Sequence, residues 1–404
     1  MKTLATLLLL LGGAATVAAE PKFEPQTLDD KLAIGYGLAI GEVNGDKHPD
    51  ILVADKKQFV WYKNPGRPGQ AWAKFVMAEN LTARDNVCIA ARDINGDGKV
   101  EVAVGAMWNP GETSDPKKSG SVHYLVRPKD PTAKWEAIQL PHEPTVHRMR
   151  WVQVADNRHD LVVLPLHGRG NRGGAGDGVR VLAYRMPANP HDPWETTVLD
   201  QSMHMTHNFD ILEATRPDGE KLRGVLLGGK EGVRAVMIDD GQWREGSKPN
   251  PAFTRAAGEV RGLPATTSEG LHYITTIEPM HGNSVVLYSG RDGQDTATRH
   301  VLDEDLKQGH ALALADVLGA GRPQVIAGWR NPNRKGRVGI RLYELLDAAG
   351  SKWNTHVLDD NRMACEDLKI ADLDGDGRLD VIACGRATKN LVVYWNRTEV
   401  PAAR

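Results

Sequence analysis

Hydrophobic positions along the chain fall in short runs of period two, bounded by glycine, asparagine, aspartate or proline, and the same order of runs returns seven times. Each unit opens with an apolar run, makes an acidic turn and continues into a second apolar run. The clearest turns lie at 93–101 and 372–380. Aligned on the first position of the turn, the copies begin at Glu42, Asp93, Gln153, Asp210, Glu259, Asp316 and Asp372. The spacings of 51, 60, 57, 49, 57 and 56 residues are too long for two strands and suit four. A third run follows in most copies, at 58–62, 122–126, 179–184, 285–288, 338–343 and 391–395. A fourth follows a tryptophan at 135, 194 and 353. Period-two alternation with turn residues between predicts strands throughout, and no stretch has convincing helical periodicity.

Seven four-stranded units predict an all-β fold, a seven-bladed β-propeller spanning 20–398. The last copy stops after its third strand near Tyr394, and residues 23–30 resemble the missing fourth strand. The N-terminal strand is therefore expected to complete the last blade and close the ring, pairing edges that would otherwise stay open. The fourth and fifth copies, around 210–275, are the least regular.

Residues 1–19 read as a secretory signal: Lys2, an apolar run through Leu11, and Val17-Ala18-Ala19 as a small-residue cleavage site. The run is too short for a membrane span. An exported protein, periplasmic or extracellular, is expected, with a short tail at 399–404. Lys+Arg number 50 against 52 Asp+Glu, so nothing suggests a nucleic-acid binder or a polybasic membrane patch. Of three cysteines, Cys88 and Cys384 lie within apolar runs and Cys365 beside one. Buried thiols are the plain expectation, and a Cys365–Cys384 bridge stays open.

The acidic turns carry oxygen ligands at spacing 1, 3, 5, 9. Asp93, Asn95, Asp97 and Glu101 form one complete set and Asp372, Asp374, Asp376 and Asp380 another. Glu42, Asn44, Asp46 and Asp50 give a weaker version. Hard oxygens converging on a glycine-containing turn suit structural Ca²⁺. At the sixth copy Leu318 and Ala320 stand where ligands belong, so that turn is expected to be empty. The pattern resembles the FG-GAP (VCBS-type) repeats of integrin-like propellers, whose blade loops carry calcium.

Six residues before each turn the copies supply Tyr36, Val87, His147, His204, Phe253, His310 and Glu366. These positions start the innermost strands. Near the end of the second strands lie Lys57, Trp108, His167, Lys230, His281, Arg330 and Arg386. Both sets belong to the face opposite the acidic turns, so a polar crown is expected around one mouth of the channel. His147, His204 and His310 with Glu366 form a ligand set suited to Zn²⁺ or another divalent transition metal. A hydrogen-bonded sugar pocket without metal is the rival.

The segments bearing these residues, 146–151, 165–170, 203–210 and 278–283, together resemble the β-propeller domain of aldos-2-ulose dehydratases. The resemblance implies metal-assisted β-elimination on a small keto-sugar such as 1,5-anhydrofructose. The family's fungal member also carries cupin domains for a later isomerisation; with the sequence ending at Arg404 no room for them is expected here, which puts isomerase activity in doubt. On that reading His207 or His281 would act as base and His167 as acid. Lys230, Arg150 and Arg386 would hold oxygens, and Glu366 would be ligand or base. A polysaccharide (uronate) lyase would use the same parts. A non-catalytic glycan- or protein-binding propeller would need calcium turns but no histidine rim.

Overall fold

The computed structural model describes residues 20–399 except 217–218, 245, 247–249, 265–269 and 292–295. The expected signal segment and all but the first residue of the tail lie outside the described residues. Seven antiparallel sheets of four strands form the blades of a propeller. Six blades take their strands in chain order. The seventh takes three strands from the C-terminal end, and its outermost strand is Phe23–Asp29, paired with Leu391–Asn396. The expected ring closure is therefore present. The one helical element among the described residues is a short 3-10 turn, Pro251–Phe253. Among the described residues no helix is long and apolar enough to cross a membrane.

Alternate residues of each strand pack against the two neighbouring blades, so apolar clusters fill the clefts between blades. A recurrent tyrosine on the third strand ties the clefts together. Tyr62 donates to Asp29 (2.6 Å), Tyr343 to Asp303 (2.7 Å) and Tyr394 to Asp359 (2.9 Å). Each of these aspartates closes the fourth strand of the preceding blade. A buried phenol needs a partner, and here the partner fastens one blade to the next.

The acidic turns contain a second recurrent device. The amide of the second turn residue, or of the third in the sixth blade, donates to the side chain at position nine in four blades. Val43 donates to Asp50, Ile94 to Glu101, Leu318 to Gln324 and Leu373 to Asp380. Asp50 and Asp380 also accept the amides of Asn64 and Asn396 at the end of the third strand. Position nine thus faces inward and pins the turn. Asp372, Asp374 and Asp376 converge within 4.8 Å, without Asp380. Asp374 and Asp376 are also paired with Arg397 at 3.0 Å each. Cys88, Cys365 and Cys384 are buried, unbridged thiols.

Candidate active site at the histidine mouth

The innermost strands each begin with the same irregularity. In blades three, four, six and seven the pairing register skips His147, His207, His310 and Glu366. In the other blades Tyr36, Val87 and Gly258 donate their amides to Ala54, Gly105 and Ile277, which also face the following residue. Two residues therefore oppose one in every blade, which is a β-bulge. The extra residue breaks the alternation, so its side chain is turned toward the channel mouth.

This register corrects the alignment in two blades. Asp210 lies within the strand Thr206–Thr215, and its carboxylate accepts the amide of Gly262 (3.0 Å). Glu259 likewise begins the strand Glu259–Leu263 and is fully buried. Asp210 lies three residues beyond the bulge residue of its blade and Glu259 one residue beyond, so counting six back from them reached the wrong residues. The fourth blade contributes His207 to the ring of bulges rather than His204, and the fifth contributes Gly258 rather than Phe253, which sits in the 3-10 turn.

His207, His281 and His310 bring their ring nitrogens within 4.8 Å of one another. Nε2 of His207 and Nε2 of His281 are 2.7 Å apart. Nδ1 of His207 lies 2.9 Å from the carbonyl oxygen of Gly258 and 3.2 Å from Glu259. Nδ1 of His310 lies 2.7 Å from the carbonyl oxygen of Glu366. A carbonyl only accepts, so each Nδ1 carries a proton, and in the neutral tautomer each Nε2 presents its lone pair. Inward lone pairs backed by outer hydrogen bonds are the donor arrangement of a divalent transition-metal site, and these residues fit one.

Burial, then the neighbouring charges of Arg330 and His207, pushes His310 well below the usual imidazole range. Burial and His207 push His281 down to about 2. Both rings are thus neutral near pH 7. His281 sits in a turn at φ +51°, a left-handed conformation that costs about 1–2 kcal/mol for a non-glycine residue. The next residue has to be small, because a Cβ on Gly282 would lie 2.0 Å from the carbonyl oxygen of Glu278.

His147 adjoins this group, 4.7 Å from His207 between ring centroids and 4.9 Å from Trp108. Its Nδ1 is 3.0 Å from Nη1 of Arg148. A guanidinium only donates, so the proton of His147 sits on Nε2 and the ring is a hydrogen-bond donor. Glu366 is held by Arg330 (3.0 and 2.9 Å) and Arg386 (3.1 Å), and it stands 3.8 Å from Nε2 of His310. Arg386 also lies over the ring of Tyr36, 5.3 Å from its centroid.

Other sequence-selected residues lie elsewhere. His204 is not part of the cluster. Its side chain is 42% exposed and its Nδ1 is 2.9 Å from Glu231. Its carbonyl accepts from buried Asn171, which also fastens the glycine-rich loop 168–178 through Asp177 and Gly174. That loop is internally bonded, and Lys230 donates to it at Gly174. His167 is partly buried near His147, with its Nδ1 unpartnered, and burial lowers its pKa. Arg150 lies deeper, bonded to Asn208 (3.1 Å) and stacked on Phe209. Sequence reasoning missed Glu259, Asn208 and Arg148. The signal was present in the adjacent polar pairs His147-Arg148, His207-Asn208 and Glu366-Asp367, since two polar neighbours in a strand mark a bulge.

Solved structures with this architecture include BBS1N in complex with ARL6DN, at 12% identity and TM-score 0.56, covering 94% of this chain and 97% of that one. Another is the β-propeller domain of Cps50 (Swd1) from Myceliophteria thermophila, at 10% identity and TM-score 0.52, covering 93% and 100%. At such identities they share the fold alone. No curated protein matches the chain in sequence. Residues 43–104 match the FG-GAP-like repeat family. Residues 119–291, the stretch holding His147, His167, His207 and His281, match the β-propeller domain family of aldos-2-ulose dehydratase, so the resemblance read from the motifs is matched by the family sequence pattern.

Proposed function

We propose that the chain is a carbon–oxygen lyase that eliminates water from a small keto-sugar at the histidine mouth. The observation that carries this reading is the convergence of His207, His281 and His310 within the ring of bulges. The family match over 119–291 supports a carbohydrate substrate. His207, His281 and His310 would hold a divalent transition metal, with Zn²⁺ the best fit to three imidazoles. Once bound, it would supply Lewis-acid stabilisation of negative charge on the substrate carbonyl oxygen.

The chain's own groups supply the rest. His147 offers its Nε2–H to the same oxygen as charge develops there. His167, kept neutral by burial, takes the proton from the carbon next to the carbonyl. The carbon–oxygen bond then breaks at the neighbouring carbon, and the proton on His167 passes to the departing hydroxyl, giving water and an enone. Arg386 holds a substrate hydroxyl at the rim, while Arg330 and Arg386 fix Glu366. Calcium at the blade-seven turn, on Asp372, Asp374 and Asp376, is proposed as structural only.

The test is to incubate the purified protein with keto-sugars, 1,5-anhydrofructose among them, and follow enone absorbance. Formation of enone by the wild type, lost in His281→Ala and His310→Ala, is the expected result. No product from any keto-sugar would sink the reading.

A further inference from the structure

Below the histidine layer the inner strands continue down the channel, and the seven blades are not alike there. Blades one and two place Gly37, Ala39, Cys88 and Ala90 at the depths where blades three and seven place Arg148, Arg150, Asp367 and Lys369. The small side chains leave a cavity of about 240 Å³ lined on one side by glycine, alanine and cysteine and on the other by charge.

That charge is unevenly partnered. Asp367 accepts Nζ of Lys369 on both oxygens at 2.8 Å and the amide of Leu38 at 2.9 Å. Glu259 is taken up by His207, by Asn208 (2.7 Å) and by Arg261 (3.4 Å). Arg148 and Arg150 have no such partner. Arg148 donates only to the ring and carbonyl of His147, and Arg150 only to the side chain of Asn208. Among the described residues neither takes part in an ion pair, and their remaining N–H groups find no protein acceptor. Burial, followed by the charge of Arg261, draws the pKa of Arg150 down to about 10, although the charges of Asp210, Asp367 and Glu259 act to raise it from beyond ion-pair distance. A guanidinium buried without an anion is costly, and one anion accepting its fork of donors offsets that cost.

We propose that this cavity binds a small oxyanion, a sulfate-, phosphate- or carboxylate-class group, between the guanidiniums of Arg148 and Arg150. The site lies beneath the histidine cluster, which Arg148 touches through His147, and its occupation by an anion does not rest on the lyase reading. The anion is either free in solution or carried on a sugar, and the two sources are separable.

Isothermal titration calorimetry of the purified protein with sulfate and acetate probes the free form. Glucuronate against methyl glucoside probes the sugar-borne form. The expected result is saturable binding of at least one anion, none of methyl glucoside, and an affinity at least about tenfold weaker in Arg150→Gln. Binding of glucuronate alone would assign the anion to the substrate. No saturable heat with any anion, or an affinity unchanged in Arg150→Gln, would overturn the proposal. Should Arg150→Gln fail to fold, the wild-type melting temperature decides. Millimolar sulfate, acetate or glucuronate must raise it more than chloride at equal ionic strength, and shifts equal to chloride for all three would refute the site.

Discussion

Nδ1 of His310 lies 2.7 Å from the backbone carbonyl oxygen of Glu366, and His207 makes the same contact with Gly258 at 2.9 Å. In each case the acceptor is the bulge residue of the next blade. The orientation of each ring is therefore set by the neighbouring blade's backbone, which no side-chain substitution removes.

The first prediction separates the two histidines that counting confused. Elemental analysis of the purified protein should find a transition metal near one per chain, lost in His207→Ala and His310→Ala. His204→Ala, which alters only a contact with Glu231, should keep it. Metal retained in His207→Ala would break the assignment.

Glu259 backs His207 and is itself buried. Burial acts to raise its carboxyl pKa, but the His207 hydrogen bond and the charges of Arg261 and Arg148 outweigh it and hold the group below the usual carboxylate range. Glu259→Gln should weaken metal affinity about 10–100-fold, measured by competition with a chelator, while the thermal melt stays cooperative. An unchanged affinity would show that the carboxylate is structural only.

The tyrosine staples predict a stability effect far from the mouth. Tyr343→Phe removes the phenol from Asp303 but leaves Arg341 in place, so the cost should be about 1–2 kcal/mol in denaturant unfolding. A change below a few tenths would mean that the arginine alone secures the cleft.

His123, on the third strand of blade two, supplies a pH test clear of the site. Burial, with His142 adding to it, depresses its pKa from 6.5 to about 4. Between those values the unfolded chain binds the proton and the folded chain does not. Stability is therefore complete above pH 6.5 and falls as pH drops toward 4, by about 3 kcal/mol from this group. The stability difference between wild type and His123→Gln should shrink by that amount on going from pH 7 to pH 4. A difference that stays constant would refute the buried neutral form.

Much of this molecule is legible in its sequence, because strand periodicity and turn glycines are local signals. The seven-fold repeat and the closing strand Phe23–Asp29 followed from them directly. The site was legible only in the blades where the turn position lies six residues beyond the bulge. Asp210 and Glu259 are acids at a spacing that suits a turn, and composition cannot say that one receives a backbone amide inside a sheet and the other a buried imidazole. The bulge itself depends on two strands meeting, so it appears in the sequence only as a lapse in alternation at His147-Arg148 or Glu366-Asp367. Arg148 and Arg150 escaped notice as a pair because their lack of partners is a property of what the other blades place opposite them.

The bulge repeated in every blade has a consequence for how such a protein can change. Seven equivalent sockets face one mouth, and here they hold Tyr36, Val87, His147, His207, Gly258, His310 and Glu366. Replacing the side chain in one socket leaves the strand pairing beneath it intact. The chemistry at the mouth can therefore be rewritten one residue at a time, or moved around the ring, while the scaffold stays as it is. A fold of this kind separates what is inherited as architecture from what is free to diversify.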